Sequence, residues 1–178
     1  MQPSVLVVIS GAVAAGKTTL GVRLAARLNA TLLSKDLLKE TLHQPLAITS
    51  QTTSLVASNA AMRLMYSIAA TSASPLVVEA NWRPGDVDEL MALSRPAVQI
   101  FCTAPVEVLK ERALSRIRTG DRHPVHRDRM SAHVLAAMVR DIEEEQAAPL
   151  PLGGSLLRLD TSAPVDLDAV TAWVCDHV

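Results

Sequence analysis

Val5-Leu6-Val7-Val8-Ile9-Ser10-Gly11-Ala12-Val13-Ala14-Ala15-Gly16-Lys17-Thr18-Thr19 is the stretch on which the fold turns. From Val5 to Ile9 it is a continuous aliphatic run, the pattern of a strand buried on both faces of its sheet. A turn rich in Gly and Ala follows. Leu20, Leu24 and Leu28 then recur at helical spacing, with Ala25 and Ala26 between them and Asn29 as a stop. Buried strand, tight turn and amphipathic helix together open a unit of a parallel sheet.

The same alternation continues along the chain. Thr31-Leu32-Leu33 reads as a short second strand, Ser34 as the cap of a helix from Lys35 to Leu42, and Pro45 as its end. A longer helical pattern runs from Gln51 to Ala73, with Ala61, Met62, Met65, Ile68 and Ala69 on one stripe. Pro75 to Glu79 is the next buried strand, and Asp86 opens a helix towards Leu93. Ala97 to Cys102 is a fourth strand, and Pro105 starts a helix that runs to about Arg118. Thr119 to Asp128 is predicted as loop, and Val134, Met138 and Ile142 mark a further helix. Ala147 to Gly154, with Pro149, Pro151 and Gly153-Gly154, reads as a loose linker. Leu156 to Leu159 is the last strand; Leu167, Val170 and Val174 mark the last helix. With no hairpin dipeptides and no repeats, the pattern is an α/β domain of three layers over residues 1–178, its five-stranded sheet parallel.

Within the opening stretch, Gly11-Ala12-Val13-Ala14-Ala15-Gly16-Lys17-Thr18 fits GxxxxGK[ST] without a gap, and it leaves a strand and opens a helix as that motif requires. Gly11 and Gly16 permit backbone conformations and close approaches that a Cβ would block. Successive N–H groups then face inward as an anion nest, reinforced by the helix dipole. The chemistry predicts that residues 11 to 19, Thr19 included, bind ATP with Mg²⁺. Lys17 reaches the β- and γ-phosphates, and the Thr18 hydroxyl ligates the metal.

Composition excludes several alternatives. Of 178 residues 49% are apolar and 20% charged, enough for a core and too ordered a mixture for a disordered chain. Aromatics are only 2%, namely Tyr66, Trp82, Phe101 and Trp173, so the core is aliphatic and no base-stacking platform exists. Lys+Arg 17 against Asp+Glu 18 gives a net charge of −1, which argues against nucleic acid and anionic membranes as partners. Cys102 and Cys175 stand far apart without CxxC spacing, as expected of reduced thiols rather than a disulfide or zinc site. Met1-Gln2-Pro3-Ser4 lacks a basic leader, and the apolar run after it is too short to span a bilayer; a cytoplasmic monomer or homodimer is expected.

Three further motifs carry a resemblance. They are Ser34-Lys35-Asp36, Val77-Val78-Glu79-Ala80-Asn81-Trp82, and Glu111-Arg112 through Arg122-His123-Pro124-Val125-His126-Arg127-Asp128. With the phosphate loop they resemble small bacterial P-loop kinases of the AAA-family ATP-binding type. These are similar to the kinase domain of polynucleotide kinase, to gluconate and shikimate kinases, and to chloramphenicol phosphotransferase. The resemblance implies a P-loop NTPase fold and transfer of the γ-phosphate of ATP to a hydroxyl of a small molecule, whether nucleoside, sugar-like or antibiotic-like.

It also implies roles for particular residues. Asp36 would face the acceptor hydroxyl and take its proton, the alternative being a first-turn acid that stabilises its helix. Glu79, at a strand end, would hold Mg²⁺ through water together with Thr18, or else contact the acceptor; the kinases it resembles more often have Asp there. Arg112, Arg116, Arg118, Arg122, Arg127 and Arg129 concentrate positive charge in an otherwise neutral chain. They are expected to form a helical lid over about 116–135, with Arg112, Arg116 and Arg118 on the phosphates, Arg116 foremost, and the lid mobile without nucleotide. The alternative is a solvated basic face paired with Glu107, Glu111, Asp121 and Asp128. The Arg-His-Pro-Val-His run has no derivable role. The acceptor wall is predicted to be largely aliphatic (Leu38, Leu42, Leu46, Ile48, Leu55), with Arg63 and His43 as polar exceptions and Asn81 and Arg83 at its rim. A nucleic-acid 5′-hydroxyl kinase and a non-catalytic nucleotide switch are the competing readings. The first lacks a basic track; the second leaves Asp36 unexplained.

Overall fold

Alternate residues of the first strand face opposite sides of the sheet, and both sides are apolar. In β1 (Leu6–Gly11), Val7 and Ile9 pack on one face while Leu6 and Val8 pack on the other. This requires a central position with helices on both faces. The computed structural model describes residues 5–119, 123–126, 139–144 and 148–178. In it β1 lies between β3 (Leu76–Glu79) and β4 (Ala97–Thr103), with β2 (Thr31–Ser34) and β5 (Ser155–Asp160) at the edges. The order is β2-β3-β1-β4-β5, and every pairing is parallel. The chain leaves β1 towards β2 on one side and later crosses to β4 on the other. The C-terminal edge around β1 is therefore where the order reverses, the place where open parallel sheets bind ligands.

The layers follow from the core. On the Val7 and Ile9 face lie α1 (Lys17–Leu28), α5 (Val106–Thr119) and α6 (Leu167–Asp176), through Leu24, Leu109, Val170 and Val174. On the opposite face α3 (Gln51–Thr71) and α4 (Asp86–Ala92) contribute Met65, Ala69 and Leu90. Asn29 ends α1 in the left-handed conformation, at φ 49°, as its stop role requires. α2 (Lys35–Thr41) is capped by Ser34 as predicted, whose hydroxyl accepts from the Leu37 N–H at 3.3 Å. On α3 the predicted stripe holds for Ala61, Met65 and Ala69, but Ile68 is exposed.

The stretch read as a loose linker is pinned over its described part. In the amide orientation that satisfies every partner, buried Gln99 exchanges 2.9 Å hydrogen bonds with the backbone N–H and C=O of Leu150. Leu150 and Leu152 pack on the α3 side of the core. Ile142, in a helical segment over 139–144, is fully buried. Met1 to Ser4, Gly120, Asp121, Arg122, Arg127, Asp128, Arg129, Val134, Met138 and Ala147 lie outside the described residues, as does much of the predicted lid. Among the described residues no helix is long and apolar enough to cross a membrane.

Candidate functional site

The turn after β1 takes its shape from two glycines. Gly11 has φ +129°, and a Cβ there would stand 2.2 Å from the Cys102 carbonyl oxygen. Gly16 has φ +77° and forms the N-cap of α1. Ala12 and Ala15 are fully buried, so the loop is wedged against the sheet. Lys17 is buried too. Its Nζ donates to the carbonyls of Gly11 and Ala12, both at 2.7 Å, which holds the ammonium inside the loop's curve.

At the end of the neighbouring strand, Glu79 is buried and draws in two hydroxyls. Thr18 Oγ1 donates to Glu79 Oε1 at 3.0 Å, and the Ser34 hydroxyl donates to the same oxygen. Burial pushes the Glu79 carboxyl above the usual carboxylate range, and the Asp36 charge adds to this. The Ser34 hydrogen bond, the Lys17 charge and the Thr18 hydrogen bond oppose the shift without cancelling it. Ser34 therefore caps α2 and fixes the strand-end acid at once, a connection its sequence position does not reveal. The donors here are hydroxyl and carboxylate oxygens, which suit a hard divalent cation. Among the described residues no three His, Cys, Asp or Glu side chains could form a metal cage. The fit is thus to a cation of the Mg²⁺ type, held by few protein groups together with phosphate oxygens.

One cleft gathers most of the predicted residues. Val13, Ala14, Gly16, Lys17, Thr18, Thr19, Asp36, Glu79, Asn81 and Arg116 line it together. Asp36 stands at its edge, ion-paired with Lys35 at 3.4 Å. On one side the cleft adjoins a cavity of about 270 Å³ between Thr19, Leu20, Arg23, Arg112, Arg116, Thr161 and Val165. Arg112 does not present a free fork to phosphate there. Its Nη2 donates to the Thr161 carbonyl at 2.7 Å and its Nη1 to Thr161 Oγ1 at 3.4 Å, so it braces the turn after β5. Arg118 is exposed and lines neither cavity. Of the predicted phosphate arginines within the described residues, Arg116 alone lines the cleft itself.

The sequence matches the AAA domain model AAA_33 over residues 6–144. The chain belongs to that family. Among solved structures, this AAA domain is 37% identical to a "putative kinase" from Chloroflexus aurantiacus J-10-fl, over 99% of this chain and 100% of that one, with a TM-score of 0.89. Its fold is also that of shikimate kinase from Acinetobacter baumannii, at 15% identity over 98% and 92% of the chains and a TM-score of 0.63. A gluconokinase from Sinorhizobium meliloti shares it at 16% identity over 99% and 93%, with a TM-score of 0.55. No curated protein matches. The fold is the three-layer α/β fold of P-loop kinases.

On its other side the AAA domain's cleft adjoins a cavity of about 250 Å³, and Asn81 lines both. The predicted aliphatic wall is absent from this cavity. Leu38 packs into the core; Leu42 and Ile48 join Ala57 and Val125 in a separate apolar cluster; Leu46 and Leu55 are exposed. The lining is mixed instead: Met62 and the Tyr66 ring stand beside Lys35, Ser58, Asn59, Arg63 and Arg83. Arg63 lines this cavity, loosely paired with Glu89 at 3.5 Å. Trp82, part of the strand-end motif, has no role assigned by the sequence. Its indole N–H donates to the Ile9 carbonyl at 2.7 Å and so fastens the turn that carries Asn81 and Arg83 to β1.

The Arg-His-Pro-Val-His run also finds a place. Val125 is fully buried against Ile48 and Ala57, and its carbonyl accepts from Ser54 Oγ at 2.8 Å. His126 Nε2 lies 2.9 Å from Glu40 Oε1, and the His123 ring meets His43 edge-on at 4.9 Å between centroids. The segment after the arginine helix is thus docked on α2 and α3 by Val125, an apolar anchor in a stretch read as having few. His43, expected to face the acceptor, belongs to this joint.

Proposed function

We propose that this AAA domain is an ATP-dependent phosphotransferase that moves the γ-phosphoryl group of ATP to a hydroxyl of a small molecule. The observation that carries the reading is a phosphate loop and a strand-end acid in one cleft with Asp36, opening at Asn81 onto a second cavity that carries several polar side chains. A nucleotide switch needs the loop alone; transfer needs a place for an acceptor beside an acid. The small-molecule kinases named above share the fold, which supports the same class.

In this reading the loop N–H groups and Lys17 hold the β- and γ-phosphates, and Thr18 and Glu79 would hold Mg²⁺, which when bound would supply neutralising charge at the phosphate oxygens. Asp36 orients the acceptor hydroxyl and takes its proton as the new P–O bond forms and the bond to the ADP oxygen breaks. Arg116, at the junction of the cleft with the Thr161 cavity, stabilises charge spread over the phosphoryl oxygens. Arg112 is a positioning residue for the nucleotide's far end.

The test is ATP consumption by the purified protein with Mg²⁺, screened against hydroxyl compounds. ADP formation should rise in step with an acceptor. Slow hydrolysis indifferent to every compound would contradict the reading and favour a switch.

A further inference from the structure

Around the cavity beyond Asn81 the polar groups fall into two sets. The first is satisfied within the protein. Tyr66 donates its hydroxyl to Asp86 Oδ1 at 2.8 Å, and Asp86 Oδ2 accepts from the Arg83 backbone N–H at 2.6 Å, so both carboxylate oxygens are engaged. Glu89 faces Arg63, and Lys35 faces Asp36. The second set has no such ties. Among the described residues, the side chains of Ser58, Asn59 and Asn81 and the guanidinium of Arg83 make no hydrogen bond or ion pair. Ser58 is 8% exposed overall with its hydroxyl open to the cavity, Asn81 is half-buried, and Asn59 and Arg83 are exposed.

We infer that the acceptor is a hydroxylated small molecule carrying a negative charge, a carboxylate or phosphate ester, with the charge at Arg83 and hydroxyls at Ser58, Asn59 and Asn81. This rests on the phosphotransferase reading and narrows it. A guanidinium without an acidic partner is a planar fork for a carboxylate or phosphate, and hydroxyls complete amide and serine groups in both directions. An apolar acceptor would strip water from these groups and return nothing. A cationic one would meet Arg83, the lining cation without an acidic partner among the described residues, while the lining acids Asp86 and Glu89 face Tyr66 and Arg63.

Position sets the orientation. Asn81 also lines the phosphate cleft with Asp36, so the hydroxyl bound there is the one in line for transfer, and the charged end lies away from it at Arg83. Trp82 ties the backbone between these two residues to β1 and holds them ready. The volume, about 250 Å³, falls just below the range of drug-sized ligand sites and suits a molecule of sugar-acid scale.

The protein is first saturated with Mg²⁺ and a non-hydrolysable ATP analogue, so that the phosphate loop is filled. Pentitols and hexitols, their aldonates and their terminal phosphates are then titrated in by calorimetry. At least one anion should bind about tenfold or more tighter than its neutral parent, the scale of one charge-assisted hydrogen-bonded pair. Arg83→Gln should erase that difference without changing affinity for the analogue, and Arg83→Lys should keep part of it; thermal melting checks that both variants fold. The better-bound anion tells carboxylate from phosphate. Equal binding of neutral and charged probes, no binding by any probe, or an anion preference that survives Arg83→Gln overturns the inference. Phosphotransfer is scored separately. Turnover on neutral polyols alone refutes the anionic acceptor and leaves the kinase standing, whereas anion binding without acceptor-dependent turnover refutes the kinase.

Discussion

On the phosphate side of the cleft the groups are already committed: Lys17 to two loop carbonyls, and Thr18 to Glu79, which Ser34 also holds. In the cavity beyond it, the side chains of Ser58, Asn59, Asn81 and Arg83 make no hydrogen bond or ion pair among the described residues. On the proposed function, the contrast follows from what each side would recognise. A polyphosphate is the same in every nucleotide and can be bound by backbone N–H groups, whose geometry a short run of glycines sets. An acceptor is particular, and reading it takes side chains with free hydrogen-bonding capacity.

The largest effect should come from the committed side. Lys17→Ala is expected to lower kcat by about 10³-fold, the scale of losing a donor to developing charge. Steady-state kinetics with the best acceptor checks this, and undiminished turnover would break the assignment of the loop. Next is Asp36→Asn, expected to reduce kcat by about 10²-fold with nucleotide affinity unchanged, as for loss of a general base. Equal turnover would make Asp36 a helix-capping acid and move the proton-accepting role to another group.

The same contrast explains what could be read from the sequence. β1, the loop and α1 form one contiguous stretch, so strand, turn and helix were legible together, and the alternation beyond them gave the parallel sheet. The cavity proposed for the acceptor draws on α2, α3, the turn after β3 and α4. No spacing rule joins Ser58 to Arg83. Position along the chain assigned Leu42, Ile48 and Leu55 to a wall without distinguishing a side chain turned to the cavity from one turned to Val125 or to solvent. Arg112 was read as a phosphate ligand because charge alone does not show that Thr161 would take its guanidinium.

Two smaller predictions sharpen the comparison. Val125→Ala should destabilise the docked segment by about 2 kcal/mol, through lost burial in a small apolar cluster. Hydrogen exchange should then rise at 123–126 and along the start of α3 while the phosphate loop stays protected. Protection lost equally at both places would mean that the two sides are one cooperative unit. Thiol chemistry should divide the cysteines in the same way. Cys102, beneath the loop, is fully buried, and burial pushes its thiol up to about 12, so at pH 8 it stays protonated and unreactive while exposed Cys175 is labelled. Because the folded value is raised, the contribution of Cys102 to stability is complete below the unfolded thiol pKa of about 8.5 and declines as pH rises from there towards 12.

The central claim is that the γ-phosphoryl group crosses from the loop to a hydroxyl held beside Asp36 and Asn81. The most direct measurement supplies ATP labelled at its γ-phosphorus together with a bound acceptor and identifies the labelled product by mass spectrometry, in the wild type and in Asp36→Asn. The label should appear as a phosphate ester of the acceptor, in proportion to ADP formed, and about 10²-fold more slowly in the variant. Label recovered as inorganic phosphate at a rate independent of the acceptor, or ester formed equally fast by Asp36→Asn, would contradict it.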